Sequence, residues 1–187
     1  MNSKADAVRD SFPQLANIKN KEWVEKIIKI WVEVWDKSAW DGLHDCPYNS
    51  LAPEISLVEH VNQVVDGAVD LANQGKKFVG TKIDMDVLLA AGILHDVCKL
   101  VEYEPDSDGK AHKSDLGKRY QHGFYGAFKA EAEGFPMAVV QIIINHTISS
   151  NEIPNTPEAL CIYYSDMCAA DLARLDANAP LLVESHK

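Results

Sequence analysis

Apolar residues recur along most of this chain at spacings of three and four, the period of helices that bury one face. Trp23, Ile27, Ile30, Trp31, Val34 and Trp35 form one such stripe, with Lys21, Glu22, Glu25, Lys26 and Lys29 between them, and predict an amphipathic helix over about Asn20–Ser38 after a polar lead. A segment rich in turn formers, Trp40 to Ile55, follows and reads as a linker; its His44-Asp45 pair has no apolar run before it and is expected in solvent. Ser56 and Glu59 have the form of a capping box, which satisfies the first free amides of a helix. That helix is expected to run to about Asn73 and stop at Gly75, burying Leu57, Val61, Val64, Val65, Ala68, Val69 and Ala72, with His60 bordering the buried face.

The stretch from Val87 to Leu94 has no polar side chain and reads as an element buried on all sides, capped by Asp84 or Asp86. It ends abruptly in His95-Asp96-Val97-Cys98-Lys99, placing an imidazole and a carboxylate where each must be hydrogen-bonded, paired or bound to a cation. A buried His–Asp ion pair joining two helices would produce the same local pattern. Glu102 to Arg119 then lacks lasting periodicity and reads as a long loop, of the kind that is functional or disordered. Its second half carries Lys110, Lys113, Lys118 and Arg119, either an ordinary solvated surface or a lid that attracts phosphate.

Three further helices complete the pattern. Gln121 to Glu133, closed by Gly134, begins with His122 and two early glycines, Gly123 and Gly126, which imply close approach of the backbone to another helix or a ligand. Met137 to about His146 has strand-like propensity but no evident partner strand, so a helix is expected, with His146 just past its apolar block. Thr156 and Pro157 open a last long helix, with Leu160, Tyr163, Tyr164, Met167, Ala170 and Leu175 as its packed side and Asp166 and Asp171 along it. These elements predict an all-α protein with a helical extension over residues 1–55, a helical core over 56–175 and a surface-bound tail over 176–187.

Composition narrows the classes. A chain of 187 residues, 47% hydrophobic, is long enough for one substantial core. A net charge of −10 argues against a general nucleic-acid binder, and leaves a small anionic substrate possible only where positive charge is concentrated. No apolar run approaches bilayer length and the first residues lack a signal-peptide core, so a soluble, cytoplasmic protein is expected. Cys46, Cys98, Cys161 and Cys168 form no Cys-x-x-Cys pair and read as reduced thiols rather than disulfides or a thiolate zinc site.

His60, His95-Asp96, His122, His146 and an aspartate on the last helix thus edge apolar faces on five separate helices. Such a convergence of imidazoles and carboxylates is best stabilised by divalent metal, and the number of ligands suits two ions sharing a bridge. Asp166 and Asp171 diverge by about 140° around a helix, so only one should face the site. Asp166, on the side of Tyr163 and Ala170, is preferred over Asp171, which lies nearer Arg174.

The ordered set, with the local forms Leu-His-Asp-Val-Cys-Lys and His-Gly-Phe-Tyr-Gly-Ala, resembles the HD-domain superfamily of metal-dependent phosphohydrolases, in its two-metal branch. The resemblance runs from about Ser56 to Leu175. It implies that His60, His95, Asp96 and Asp166 hold one ion, with Asp96 bridging to a second held also by His122 and His146. Iron or manganese would suit this set best, with cobalt, nickel, zinc or magnesium as further candidates. The implied activity is hydrolysis of a phosphate ester or anhydride in a small molecule, a nucleotide among the candidates, through a metal-bridging hydroxide. Lys99 would face a phosphate oxygen, and Lys113, Lys118 or Arg119 would add substrate contacts. The same six-ligand pattern is also that of a minority of HD-domain di-iron oxygenases, and a non-catalytic ligand-binding domain is a third reading. No nucleic-acid or membrane partner is expected, and oligomeric state is open.

Overall fold

A computed structural model describes residues 3–147, 150 and 152–186. The elements are α1 (Lys4–Ser11), a 3-10 turn (Pro13–Asn17), α2 (Lys21–Lys37), α3 (Leu57–Phe78), α4 (Met85–Leu94), α5 (Lys99–Glu102), β1 (Tyr103–Pro105), β2 (Ala111–Lys113), α6 (His122–Ala132), α7 (Met137–Asn145), α8 (Pro157–Asp176) and a final 3-10 turn (Leu182–His186). The fold is all-α apart from the single antiparallel hairpin of β1 and β2.

The centre of the molecule is α4. Every residue from Val87 to Leu94 is buried, and the helix is enclosed by α2, α3, α7 and α8. Asp84 caps its start, accepting from the amides of Asp86 and Val87. Its end tightens into successive i→i+3 bonds, Val97 N–H to Leu94 O at 3.2 Å and Lys99 N–H to Asp96 O at 2.9 Å. That turn presents His95, Asp96 and Lys99 in quick succession at the floor of the bundle. Around it α3 packs along α8 and α6 along α7.

The start of α3 is the capping box read from the sequence, with Ser56 Oγ accepting from Glu59 N–H and the Glu59 carboxylate accepting from Ser56 N–H. The helix does not stop at Gly75. It continues to Phe78, and the chain turns instead at Gly80, whose φ of 76° is the left-handed conformation glycine adopts without penalty.

Three other expectations are corrected. The polar lead contains α1 and a 3-10 turn, because Val8, Phe12, Leu15 and Ile18 are spaced to share one side and are buried there. The stretch from Glu102 to Arg119 is not structureless. It holds the hairpin, paired Tyr103 to Lys113, Glu104 to His112 and Pro105 to Ala111, and turns where Asp106 Oδ1 accepts from the amides of Asp108 and Lys110. On α8 the packed side consists of Ile162, Ser165, Ala169 and Ala173, whereas Leu160, Tyr164 and Leu175 are exposed.

The first helices share the core of the rest. Trp31 is fully buried, donates from Nε1 to Ile93 O at 3.1 Å and lies 4.7 Å from the Phe12 ring. Asp86 accepts from the amides of Lys19 and Asn20, which ties the entry of α2 to the first turn of α4. Among the described residues, no helix is long and apolar enough to cross a membrane.

Candidate metal centre

Five elements each deliver one part of a buried cluster. His60 comes from the first turn of α3, His95 and Asp96 from the turn after α4, His122 from the first position of α6, His146 from the residue after α7 and Asp166 from the middle of α8. Gly123 and Gly126 make the α6–α7 part possible. A Cβ at Gly123 would stand 3.1 Å from Ile143 O and 3.4 Å from His146 Cε1, and one at Gly126 would stand 3.2 Å from Ile143 Cγ2.

Asp96 is the hub. Its Oδ2 lies 3.2 Å from His60 Nε2 and 3.3 Å from His95 Nε2, while Oδ1 lies 3.1 Å from His122 Nε2 and 3.4 Å from His146 Nε2. His60 Nε2 is also 3.2 Å from Asp166 Oδ1. The two carboxylate oxygens of Asp96 therefore face two different sets of imidazoles. Three overlapping groups have ligand atoms mutually within 4.8 Å: His60, His95 and Asp96; His95, His146 and Asp166; and Asp96, His122 and His146.

Short as these separations are, they are not hydrogen bonds. The Nε2 atoms of His60, His95 and His122 and Asp96 Oδ1 are buried without a hydrogen-bond partner, and Asp96 Oδ2 is met by the Lys99 ammonium, 2.7 Å away, but by no hydrogen bond from an imidazole. For His95 and His122, as for His146, the opposite nitrogen is engaged elsewhere. His95 Nδ1 lies 2.6 Å from Gly92 O and His146 Nδ1 lies 2.7 Å from Ile143 O, so each must donate there; His122 Nδ1 lies 2.5 Å from Glu102 Oε2. With Nδ1 donating elsewhere, Nε2 is the nitrogen each of these rings turns toward the Asp96 oxygens, the one left to offer a lone pair to a cation. Lone pairs converging in a dry interior are costly unless a cation lies between them. This donor set fits one or more divalent ions.

Charge is balanced in the same direction. Burial alone would push the Asp96 carboxyl up, but the Lys99 ammonium, the strongest opposing influence, holds it well below the usual carboxylate range. Burial likewise works against ionised Asp166, yet its carboxyl, with Oδ1 3.2 Å from His60 Nε2, is also held below the usual carboxylate range. His146 is pushed down by burial and stays neutral. Lys99 lies 2.7 Å from Asp96 Oδ2 with 12% of its side chain exposed, so it is not a surface lysine past a helix end. Burial would lower its pKa, but Asp96 and Asp166 raise it.

The other sequence candidates lie elsewhere. Asp171 accepts from the amides of Leu182 and Val183 and fastens the tail, while Arg174 donates to Pro180 O. Lys118 pairs with Asp115 at the surface, Arg119 is exposed, and Lys113 reaches Glu102 at 3.1 Å. Two neighbours of the cluster escaped the sequence reading. Glu102 follows an apolar pair and gave no signal of its own. Tyr48, in the linker, is 2% exposed, stacks on His60 with ring centres 4.3 Å apart and lies under the Lys99 ammonium. The linker is thus partly core, with Trp40, Leu43 and Cys46 buried as well, although its His44 and Asp45 are at the surface.

The HD-domain family profile matches residues 57–171. The dihydroneopterin 2′,3′-cyclic phosphate phosphodiesterase of Methanocaldococcus jannaschii is 26% identical over 114 residues, which cover 60% of this chain and 45% of that protein. The chain therefore spans less than half the length of this curated relative. No solved structure gives a significant match.

Proposed function

The chain belongs to the HD-domain family, and from that premise we propose that it is a metal-dependent phosphohydrolase acting on a phosphate ester of a small molecule. In this reading His60, His95, Asp96 and Asp166 hold one divalent ion, and Asp96, His122 and His146 hold a second. The observation that supports it most is the set of buried Nε2 and Oδ atoms aimed at one another without hydrogen bonds. The relative's own substrate, a 2′,3′-cyclic phosphate, makes a cyclic phosphodiester the first candidate.

Bound there, divalent ions would supply Lewis acidity, making a water nucleophilic at neutral pH and offsetting charge at phosphorus. The chain's own residues prepare that chemistry. Carbonyls of Gly92 and Ile143 and the Glu102 carboxylate keep three imidazoles in the tautomer that can ligate. Lys99, the ammonium nearest the cluster, pairs with a phosphoryl oxygen as negative charge grows on it. A small recess between α7 and α8, bordered by Gln141, Asn145, Thr156 and Tyr163, adjoins the cluster on the His146 side. Water's oxygen forms the new bond to phosphorus, one P–O ester bond breaks, and the departing oxygen leaves as an alcohol carrying a proton. A cyclic diester therefore gives a phosphomonoester, not free phosphate.

The test is a panel of cyclic phosphodiesters, linear diesters, monoesters and anhydrides, assayed with Mn2+, Fe2+, Co2+ and Mg2+. Metal-dependent turnover is expected and should fall by about 10³-fold or more in Asp96→Ala, the scale of losing the bridging charge and the activated water together. Turnover unchanged in that variant would sink the proposal. So would substrate-dependent oxygen uptake without ester hydrolysis by a protein holding two irons.

A further inference from the structure

Glu102 closes α5 and is 3% exposed, a position where a carboxylate needs a defined use for its charge. Oε2 accepts from His122 Nδ1 at 2.5 Å and Oε1 pairs with Lys113 Nζ at 3.1 Å. Its backbone is clamped as well. Ser114 N–H donates to Glu102 O at 2.9 Å, Ser114 Oγ to Val101 O at 2.6 Å, and Gly117 N–H to Ser114 Oγ at 3.0 Å. Gly117 rests against the Glu102 carbonyl so closely that a Cβ there would collide with it.

Resting on the metal-centre reading above, we propose that Glu102 is a positioning residue for the half of the site containing His122, and that the β1–β2 hairpin and the turn after it brace Glu102 rather than forming a lid over phosphate. The three imidazoles with an assigned Nδ1 partner are not equivalent. His95 and His146 donate to backbone carbonyls, whereas His122 donates to a full negative charge. A carboxylate in that place makes the imidazole a stronger ligand and fixes its plane more firmly. His122 needs this more than the others. It opens α6, where unpaired amides and the positive end of the helix dipole withdraw electron density from an imidazole, and α6 has no side-chain cap to offset them. Glu102 does not compete as a ligand, since its oxygens face Nδ1 and Lys113 and it joins none of the ligating groups. Lys113 pairs with the other carboxylate oxygen and helps hold the group in place.

Mn2+ titration of the full chain, followed by calorimetry and electron paramagnetic resonance, tests this with His122→Ala defining which binding event belongs to His122. Glu102→Ala is expected to weaken that event by roughly 10–100-fold and leave any other within about twofold. Glu102→Gln keeps a carbonyl for Nδ1–H but loses the charge, so it should fall between wild type and Glu102→Ala, and Lys113→Met should weaken the same event less. Histidine 15N spectra of the metal-free protein should show His122 as the Nδ1–H tautomer in wild type and a mixture in Glu102→Ala. Unchanged affinity in both Glu102 variants would overturn the inference while leaving the metal centre standing. Equal weakening of every binding event in Glu102→Gln would also overturn it, by reducing Glu102 to a general structural part. A wild-type chain that takes up neither Mn2+ nor Fe2+ would end the metal reading and this inference together.

Discussion

His95 and His146 each occupy the position just past the last helical residue, where the backbone carbonyl three residues earlier has lost its helical partner. An imidazole there can satisfy that carbonyl through Nδ1 and still aim Nε2 inward, and both do. A histidine immediately after an apolar run is therefore readable in sequence as a candidate ligand with a set direction. Asp166 and Asp171 separate in the same way: one faces His60, the other fastens the tail. Asp171→Ala should leave Mn2+ affinity unchanged while loosening residues beyond Leu182 toward protease, whereas Asp166→Ala should weaken binding of one ion by roughly 100-fold or more, beyond the effect of losing a supporting residue. Loss of metal in Asp171→Ala would show the helix phase to be wrong. The thiols give a second check at this scale. Burial pushes Cys46 up to about 12 and raises Cys98 further, while Cys168 is exposed and Cys161 is raised by partial burial. A raised thiol pKa means thiolate is absent until pH climbs well past the usual range. At mildly alkaline pH a disulfide reagent should modify Cys168 quickly, Cys161 slowly, and Cys46 and Cys98 only after unfolding. Rapid modification of Cys46 in the native protein would contradict its place in the core.

At the scale of elements, legibility followed side-chain size. Helices α2, α3 and α4 bury Val, Leu, Ile and Trp, so their faces were evident, and caps at Asn20, Ser56 and Asp84 marked their starts. Helix α8 reverses the relation, burying Ser165, Ala169 and Ala173 and exposing Leu160, Tyr164 and Leu175, so a size-weighted pattern assigns it the wrong side. The reason is the closeness of α3. Ser165 Oγ donates to Val64 O at 2.8 Å, and Gly67 lies so near that a Cβ would collide with that hydroxyl. The hairpin was hidden for another reason: strands of three residues, bearing Glu104, His112 and Lys113, have no room for alternation. The tight α3–α8 approach also sets the spacing of His60 and Asp166, one residue from each helix. Gly67→Ala should cost about 1–3 kcal/mol in denaturant unfolding, the range for an overpacked core. It should also lower metal affinity in the folded protein, because prying the helices apart separates those two ligands. A destabilised variant with unchanged affinity would show that the ligand spacing is set elsewhere.

For the whole molecule, the candidate centre lies where α3, α6, α7, α8 and the turn after α4 meet, so its ligands span residues 60 to 166. Sequence showed that these residues border apolar faces; it did not show that the segment before residue 56 would complete the enclosure. That segment contributes Trp31 to the α4 backbone and Tyr48 to the face of His60, contacts between parts of the chain too distant for any local period to reveal. A core shared this widely implies a single unfolding transition, and a cation bound only by the folded form must then stabilise all of it. At a free Mn2+ concentration of 100 times the dissociation constant, the linkage is about 2.7 kcal/mol. For a chain of this size it corresponds to a rise in Tm of roughly 5–10 °C over protein stripped with a chelator. In Asp96→Ala, which removes the carboxylate common to both halves, the rise should vanish even though the metal-free variant also escapes the cost of that buried charge. A rise of equal size in wild type and Asp96→Ala would place the bound ion elsewhere on the molecule.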